Sequence, residues 1–320
     1  MSIDPLLEIR DLRIAFPQPP GMADAVRGVS LDVGPGEAVG VVGESGSGKT
    51  LTALAVMRLI DPPGRIVGGA VRFRGRDILA LSDAECRRMR GSEVSMIFQD
   101  PLTSLNPAFT IGQQLTDVIM THQHVSRRAA RARAADVLSI VGIPAPERRL
   151  ASYPHEFSGG MRQRVLIGMA VACRPRLLIA DEPTTALDVT IQAQVIALIR
   201  RLRAELGLSV LFITHNLDLV AEFCDRVAVM YAGAIMEEGP TEALFSAARH
   251  PYTQALLRCV PRLGDTGAAL ETIDGAPPPL GTAIAGCAFA SRCPIVMERC
   301  RTEVPPLRPV AGQRVACWAA

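Results

Sequence analysis

GESGSGKT, residues 43–50, follows the apolar run EAVGVV (37–42) and opens into LTALAVMRLI (51–60). A buried strand, a glycine loop and a helix in that order, at the spacing G-x-x-x-x-G-K-[ST], constrain the fold more than any other stretch of the chain. The glycines let successive backbone N–H groups turn inward as an anion nest, and the start of the helix adds its positive end. Lys49 is the single lysine among 34 Lys+Arg residues. Arginine is a broad planar fork and lysine a compact point charge on a thin stem. The chain therefore keeps lysine where one cation must enter between packed phosphate oxygens. Gly43, Ser45, Gly46 and Gly48 are expected to cradle the phosphates, with Lys49 on the β- and γ-oxygens and the Thr50 hydroxyl on Mg²⁺.

The rest of the chain fits an α/β fold. LLEIRDLRIAF (6–16) and AVRGVSLDV (25–33) alternate apolar and polar residues, as half-buried antiparallel strands do. EAVGVV, EVSMIF (93–98), RLLIAD (176–181) and LSVLFIT (208–214) are continuously apolar, as parallel strands buried on both faces are. Between 112 and 174 helical spacing takes over, with Ile111, Leu115, Val118 and Ile119 on one face and Ala135, Val137, Leu138 and Ile140 on a second helix. Strands return at RVAVMYAG (226–233) and AIMEEG (234–239). DGAPPPLGTAIAG (274–286) reads as a linker before a cysteine-rich tail. The expected division is 1–250 for a nucleotide-binding domain, its helical subdomain at about 103–174, and 251–320 for a C-terminal module.

Composition excludes several classes. At 48% hydrophobic residues the chain can bury a core, yet no apolar run approaches the ~18–20 residues that cross a bilayer, and no signal peptide is read at its start. A net charge of +2 makes no electrostatic case for nucleic acid. RRAARARAAD (127–136), the densest basic run, reads as the solvated face of a helix.

Further chemistry lies at two places. RLLIADEP (176–183) sets Asp181 and Glu182 at a strand end, where the first carboxylate supports Mg²⁺ and the second polarises a water for in-line attack on a γ-phosphate. FSGGMRQR (157–164) is a second glycine-bearing loop opening a helix, either an N-cap at Ser158 or an anion site formed with Gly159 and Gly160. Two such loops with one conventional nucleotide site make sense if the second serves the ATP of a neighbouring chain.

In sequence order, GESGSGKT, Gln99 in MIFQDPLTSLNP (96–107), FSGGM, LLIADEP, TALD (185–188) and His215 in FITHNLD (212–218) resemble the ATP-binding subunits of ATP-binding-cassette (ABC) transporters. The resemblance covers roughly residues 6–245 and implies a P-loop cassette with an antiparallel β subdomain and an inserted helical subdomain. Met161 departs from the usual glutamine of the signature, at an outer position. Carried over, Glu182 is the catalytic base, His215 holds the γ-phosphate, and Gln99 senses it beside Mg²⁺ and contacts the permease. Asp188 communicates across a dimer. Phe16 is the adenine stacker, with a core aromatic as the alternative. FQDPLTSLNP, FSGGMRQR and RHPYTQALL (249–257) resemble the dipeptide/oligopeptide importer branch. That implies an ATPase paired with a second, paralogous ATPase chain and two integral-membrane permease subunits, supplied by an extracytoplasmic substrate-binding protein. Its place would be peripheral, on the cytoplasmic face of the inner membrane. Importers of nickel or glutathione are the near alternatives, and a soluble ABC ATPase of DNA repair or translation the distant one.

Four of the 8 cysteines close the chain as Cys287-x₅-Cys293-x₆-Cys300-x₁₆-Cys317. Zinc ribbons use close C-x₂₋₄-C pairs, which are absent, and the wider spacing suits the corners of a [4Fe–4S] cube. The branch resemblance also implies such a cluster; structural zinc and unligated thiols remain open.

Overall fold

The computed structural model describes residues 4–19, 21–99, 104–185, 187–259 and 272–320. Residues 100–103 of FQDPLTSLNP and Ala186 of TALD lie outside the described residues. The chain divides into two compact units, Met1–Ala80 with Phe212–Ala320, and Leu81–Leu211. The first opens with β1 (Leu7–Gln18), β2 (Gly21–Val33), β3 (Ala38–Val42), α1 (Lys49–Val56), β4 (Arg65–Phe73) and β5 (Arg76–Asp77). The second holds α2 (Asp83–Met89), β6 (Val94–Ile97), α3 (Ile111–Gln123), α4 (Arg127–Ile140), α5 (Pro146–Arg149), α6 (Gly159–Val171), β7 (Leu177–Asp181) and α7 (Val189–Leu206). β8 (Ser209–Ile213) leads back to the first unit. There follow α8 (Leu217–Phe223), β9 (Arg226–Tyr231), β10 (Ala234–Pro240), α9 (Thr241–Ser246) and α10 (Pro251–Arg258). The chain closes with α11 (Glu298–Thr302), β11 (Arg308–Val310) and β12 (Gln313–Val315).

In the first unit β1 lies between β2 and β4 in an antiparallel sheet. Ile9 faces Leu31 on one side and Val71 on the other, and all three are buried. Alternation thus gives this sheet one buried face. β3, buried at every position, pairs in parallel with β9 from Val39↔Arg226 to Val42↔Val229. β9 returns as β10 through Ala232 and Gly233, whose φ values of 44° and 83° make a two-residue primed turn. Arg226, at the start of β9, clamps this region. Its Nε donates to Glu37 Oε1 at 2.9 Å, its Nη2 to the Asp32 carbonyl at 2.6 Å, and its Nη1 pairs with the buried Glu238.

In the second unit β6 pairs in parallel with β7, Val94↔Leu177 to Ile97↔Ala180. α3 begins at a capping box formed by Thr110 and Gln113 and buries Ile111, Leu115 and Ile119. α4 buries Ala130, Ala134, Val137 and Leu138. Ile140, expected on that face, is 41% exposed; it stands two residues past Leu138 and so about 200° round the helix. Arg127, Arg128, Arg131 and Arg133 face solvent.

Residues 274–286 form neither helix nor strand. The tail beyond them, with no strand expected, contains a hairpin that turns at Ala311–Gly312 and lays β12 on β10, Glu237↔Val315 and Glu238↔Arg314. Three-residue strands carry too little pattern to be read from sequence. They persist here because the edge of an existing sheet supplies their hydrogen bonds.

Candidate functional site

The phosphate loop joins β3 to α1. Gly43 is irreplaceable on steric grounds: with φ at 152°, an added Cβ would sit 2.1 Å from the Met230 carbonyl oxygen. Gly46 and Gly48 adopt φ of 76° and 97° while Ser45, Ser47 and Lys49 do not have positive φ, the alternation that builds an anion nest. Ser45, Gly46 and Thr50 are exposed, open to a ligand. Lys49 is buried, and its Nζ donates to the Gly43 and Glu44 carbonyl oxygens at 2.8 and 2.9 Å and to Ser47 Oγ at 3.3 Å. The ammonium is thus held over the loop by three oxygens. His215, exposed, lies in the same unit just after β8, where Thr214 N donates to the Val41 carbonyl at 3.2 Å beside the end of β3. Phe16 is partly exposed and its ring covers Gly64, whose added Cβ would stand 2.6 Å from Phe16 Cε1.

The second unit carries the carboxylates. Asp181 ends β7 and is buried. Glu182 follows with φ at 47°, a left-handed conformation costly for a residue with a Cβ and frequent at functional sites. Gln99 Nε2 donates to Glu182 Oε2 at 2.9 Å, and Thr185 Oγ1 donates to the same oxygen at 2.8 Å. Gln99 and Glu182, separated by 83 positions, are therefore in direct contact. Buried Gln163 Nε2 donates to the Pro183 carbonyl at 2.6 Å and holds the turn after Glu182. Neither Thr185 nor Gln163 was singled out by sequence reasoning. No local pattern marks them, since Gln163 stands between two arginines and its partner lies 20 positions away.

Ser158 caps α6, its Oγ accepting from Met161 N at 3.3 Å, and Asp188 caps α7, accepting from Ile191 N at 2.9 Å. The two helix starts meet: a Cβ on Gly160 would stand 2.9 Å from Ile191 Cγ2. Gly160 thus serves close packing, whereas an added Cβ on Gly159 would find only Leu187 Cδ2, at 3.9 Å. Ser158 and Asp188 remain exposed.

The four C-terminal cysteines line one small cavity, together with His250 and Phe289. Burial pushes the Cys287 thiol up to about 11, against a backbone hydrogen bond from Phe289, and Cys300, Cys293 and Cys317 push it the same way. Burial also raises Cys293. Burial drives His250 down to about 4, and its Nδ1 accepts from Tyr252 N at 3.0 Å, so the ring is neutral. No disulfide joins the cysteines among the described residues. Nor, among those residues, do three or more His, Cys, Asp or Glu side chains form a group that could hold a metal ion.

A strand, a lysine-bearing glycine loop and a helix in one unit, with a carboxylate pair at the end of a parallel strand in the other, are the parts of a P-loop nucleotide-binding protein. Residues 26–185 match the ABC transporter family, and the chain belongs to that family. Residues 236–300 match the C-terminal region of oligopeptide/dipeptide transporters. The chain is 49% identical over 316 residues to the oligopeptide transport ATP-binding protein OppD of Bacillus subtilis, covering 98% of this chain and 88% of the relative. It is 46% identical over 312 residues to the dipeptide transport ATP-binding protein DppD of Haemophilus influenzae, covering 98% and 94%. Among solved structures, the dimeric bacterial ABC transporter cassette MJ0796 superposes with a TM-score of 0.65 at 26% identity, over 73% of this chain and 98% of that one. CbiO1 of Clostridium perfringens, part of the cbiONQ transporter complex, gives 0.66 at 25%, over 76% and 92%. Among the described residues no helix is long and apolar enough to cross a membrane.

Proposed function

We propose that this chain is the ATP-hydrolysing subunit of an importer of dipeptides and oligopeptides. The carrying observation is the Gly43–Thr50 loop with its buried Lys49, in a chain whose full length is similar to peptide-transport ATP-binding proteins. The whole-length likeness to OppD and DppD favours peptides over nickel or glutathione as cargo. We assign residues 1–250 to the nucleotide-binding domain, with about 103–174 as its helical subdomain, and 251–320 to a C-terminal module.

Gly43, Ser45, Gly46 and Gly48 bind phosphate oxygens through the loop backbone, and Lys49 neutralises the β- and γ-oxygens. Phe16, partly exposed, stacks on adenine. Thr50, Gln99 and Asp181 supply hydroxyl, amide and carboxylate oxygens, the hard donors that Mg²⁺ takes. When bound, Mg²⁺ offsets charge on the transferred phosphoryl group. Glu182 accepts a proton from the attacking water as its oxygen bonds to the γ-phosphorus and the bond to the β-phosphate oxygen breaks, with His215 holding the γ-phosphate. Gln99 and Thr185 hold the Glu182 carboxylate in place. Ser158, Gly159 and Gly160 contact the ATP of a partner ATPase, a paralogue, and Asp188 speaks across that dimer. Two permease subunits and an extracytoplasmic binding protein complete the importer, with this chain peripheral on the cytoplasmic face of the inner membrane.

Cys287, Cys293, Cys300 and Cys317 hold a [4Fe–4S] cluster. What supports this reading is that the four thiols line one cavity, since thiolates are the ligands such a cluster takes. Its role is to pin the C-terminal module. Two experiments test these readings. Glu182→Gln keeps the side-chain shape and removes the base, so ATP still binds and turnover collapses; turnover within a few-fold of wild type would remove Glu182 from its role. Anaerobic purification yields a brown protein whose visible band is lost in Cys293→Ser. A colourless protein with one zinc would reject the cluster.

A further inference from the structure

An acidic residue inside a phosphate loop is an electrostatic liability, since it repels the ligand that the loop exists to bind. Glu44 is such a residue, and it is tied down from two sides by the C-terminal part of the same compact unit. Its backbone N–H donates to the Tyr252 hydroxyl at 2.9 Å. Its carboxylate accepts from Arg292 Nη1 at 2.9 and 3.0 Å.

Arg292 stands directly before Cys293 and ends the short helical turn Ala290–Arg292 between Cys287 and Cys293. Its side chain is only 5% exposed. Nε and Nη2 donate to the Asp274 and Ile273 carbonyls at 2.9 and 3.0 Å, and Nη1 also reaches the Tyr231 hydroxyl at 3.2 Å. The guanidinium lies 5.7 Å from the Tyr231 ring centroid and 5.9 Å from that of Phe289. Those two rings pack on each other and on Tyr252, with centroids 4.6–5.4 Å apart. Phe289 lines the cysteine cavity. The conformation of the turn between Cys287 and Cys293 therefore sets where the guanidinium sits, and the guanidinium sets where Glu44 points.

We propose that Arg292 is a positioning residue that couples the cysteine pocket to the phosphate loop. It neutralises Glu44 and holds it away from the phosphates while the pocket is intact, and disruption of the pocket releases Glu44 and weakens nucleotide binding. The coupling is reciprocal, so bound nucleotide steadies the pocket in turn. The inference rests on the Gly43–Thr50 loop binding ATP, and not on which metal the cysteines hold.

The test is a set of ATP titrations and steady-state kinetics on the full chain. Arg292→Gln is expected to raise the ATP Kd and KM roughly tenfold, within the usual range for coupled sites, with kcat kept within about twofold. Adding Glu44→Gln to Arg292→Gln restores most of the affinity, because the unpaired charge is gone. A lost packing contact would not be rescued this way. Should Arg292→Gln fold poorly, Cys293→Ser serves instead: it weakens ATP binding in the wild-type background and not in the Glu44→Gln background. Wild-type affinity in Arg292→Gln, no recovery in the double variant, or an equal effect of Cys293→Ser in both backgrounds would overturn the coupling. Metal content, read on the same samples, judges the cluster separately. Wild-type protein that binds no ATP would overturn the nucleotide reading and this inference together.

Discussion

Lys49 shows how much one side chain can carry. Its ammonium is held by two carbonyl oxygens and a hydroxyl of its own loop, a ring of acceptors scaled to a point charge. A planar guanidinium cannot converge three oxygens on one nitrogen in that space. Lys49→Arg, which keeps the charge and changes the shape, is expected to lower ATP affinity or turnover at least tenfold, read by titration and by phosphate release. Unchanged activity would remove the argument from shape. Gly43→Ala tests the other half of the loop. A Cβ there would lie 2.1 Å from the Met230 carbonyl oxygen, so the backbone must shift. The expected cost is about 3 kcal/mol, seen as a lower urea midpoint at unchanged slope. Both residues stand out in the sequence itself. Glu44 does not, because its partner Arg292 lies 248 positions away and no local pattern pairs them.

Among the elements, the edge of the first unit's parallel pairing depends on one cation. Arg226 at the start of β9 ties Glu37 before β3, Asp32 at the end of β2 and Glu238 on β10. Glu238 is only 2% exposed, so removing the guanidinium leaves a buried carboxylate with less compensation. Arg314 still pairs with it, which limits the loss. Arg226→Ala is expected to cost about 3 kcal/mol, measured by chemical denaturation; a loss below 1 kcal/mol would show that Arg314 alone suffices. Apolar runs made the central strands legible, since a strand buried on both faces has no polar positions to spare. β11 and β12 were not legible. Their three residues apiece acquire strand geometry only from pairing, β12 with β10 and β11 with β12.

For the whole molecule, the ordered motifs speak to assembly. One phosphate loop and one FSGGM signature per chain permit two different chains to share two ATP molecules. Purification of the assembled transporter is expected to yield this chain with a second, non-identical ATPase and two permease subunits. Recovery of this ATPase chain alone with the permeases would replace the heterodimer by a homodimer.

What the sequence determined by itself was the class of chemistry. A phosphate loop, a carboxylate pair at a strand end and a capped glycine turn are each encoded in contiguous residues, because backbone torsions and side-chain shape act over a few positions. Only the tertiary structure decided which of these parts touch. It set Gln99 against Glu182, closed four widely spaced cysteines around one cavity, and buried Arg292 against the carboxylate of the phosphate loop. Such contacts arise when apolar burial draws distant segments together, and spacing along the chain carries no record of them.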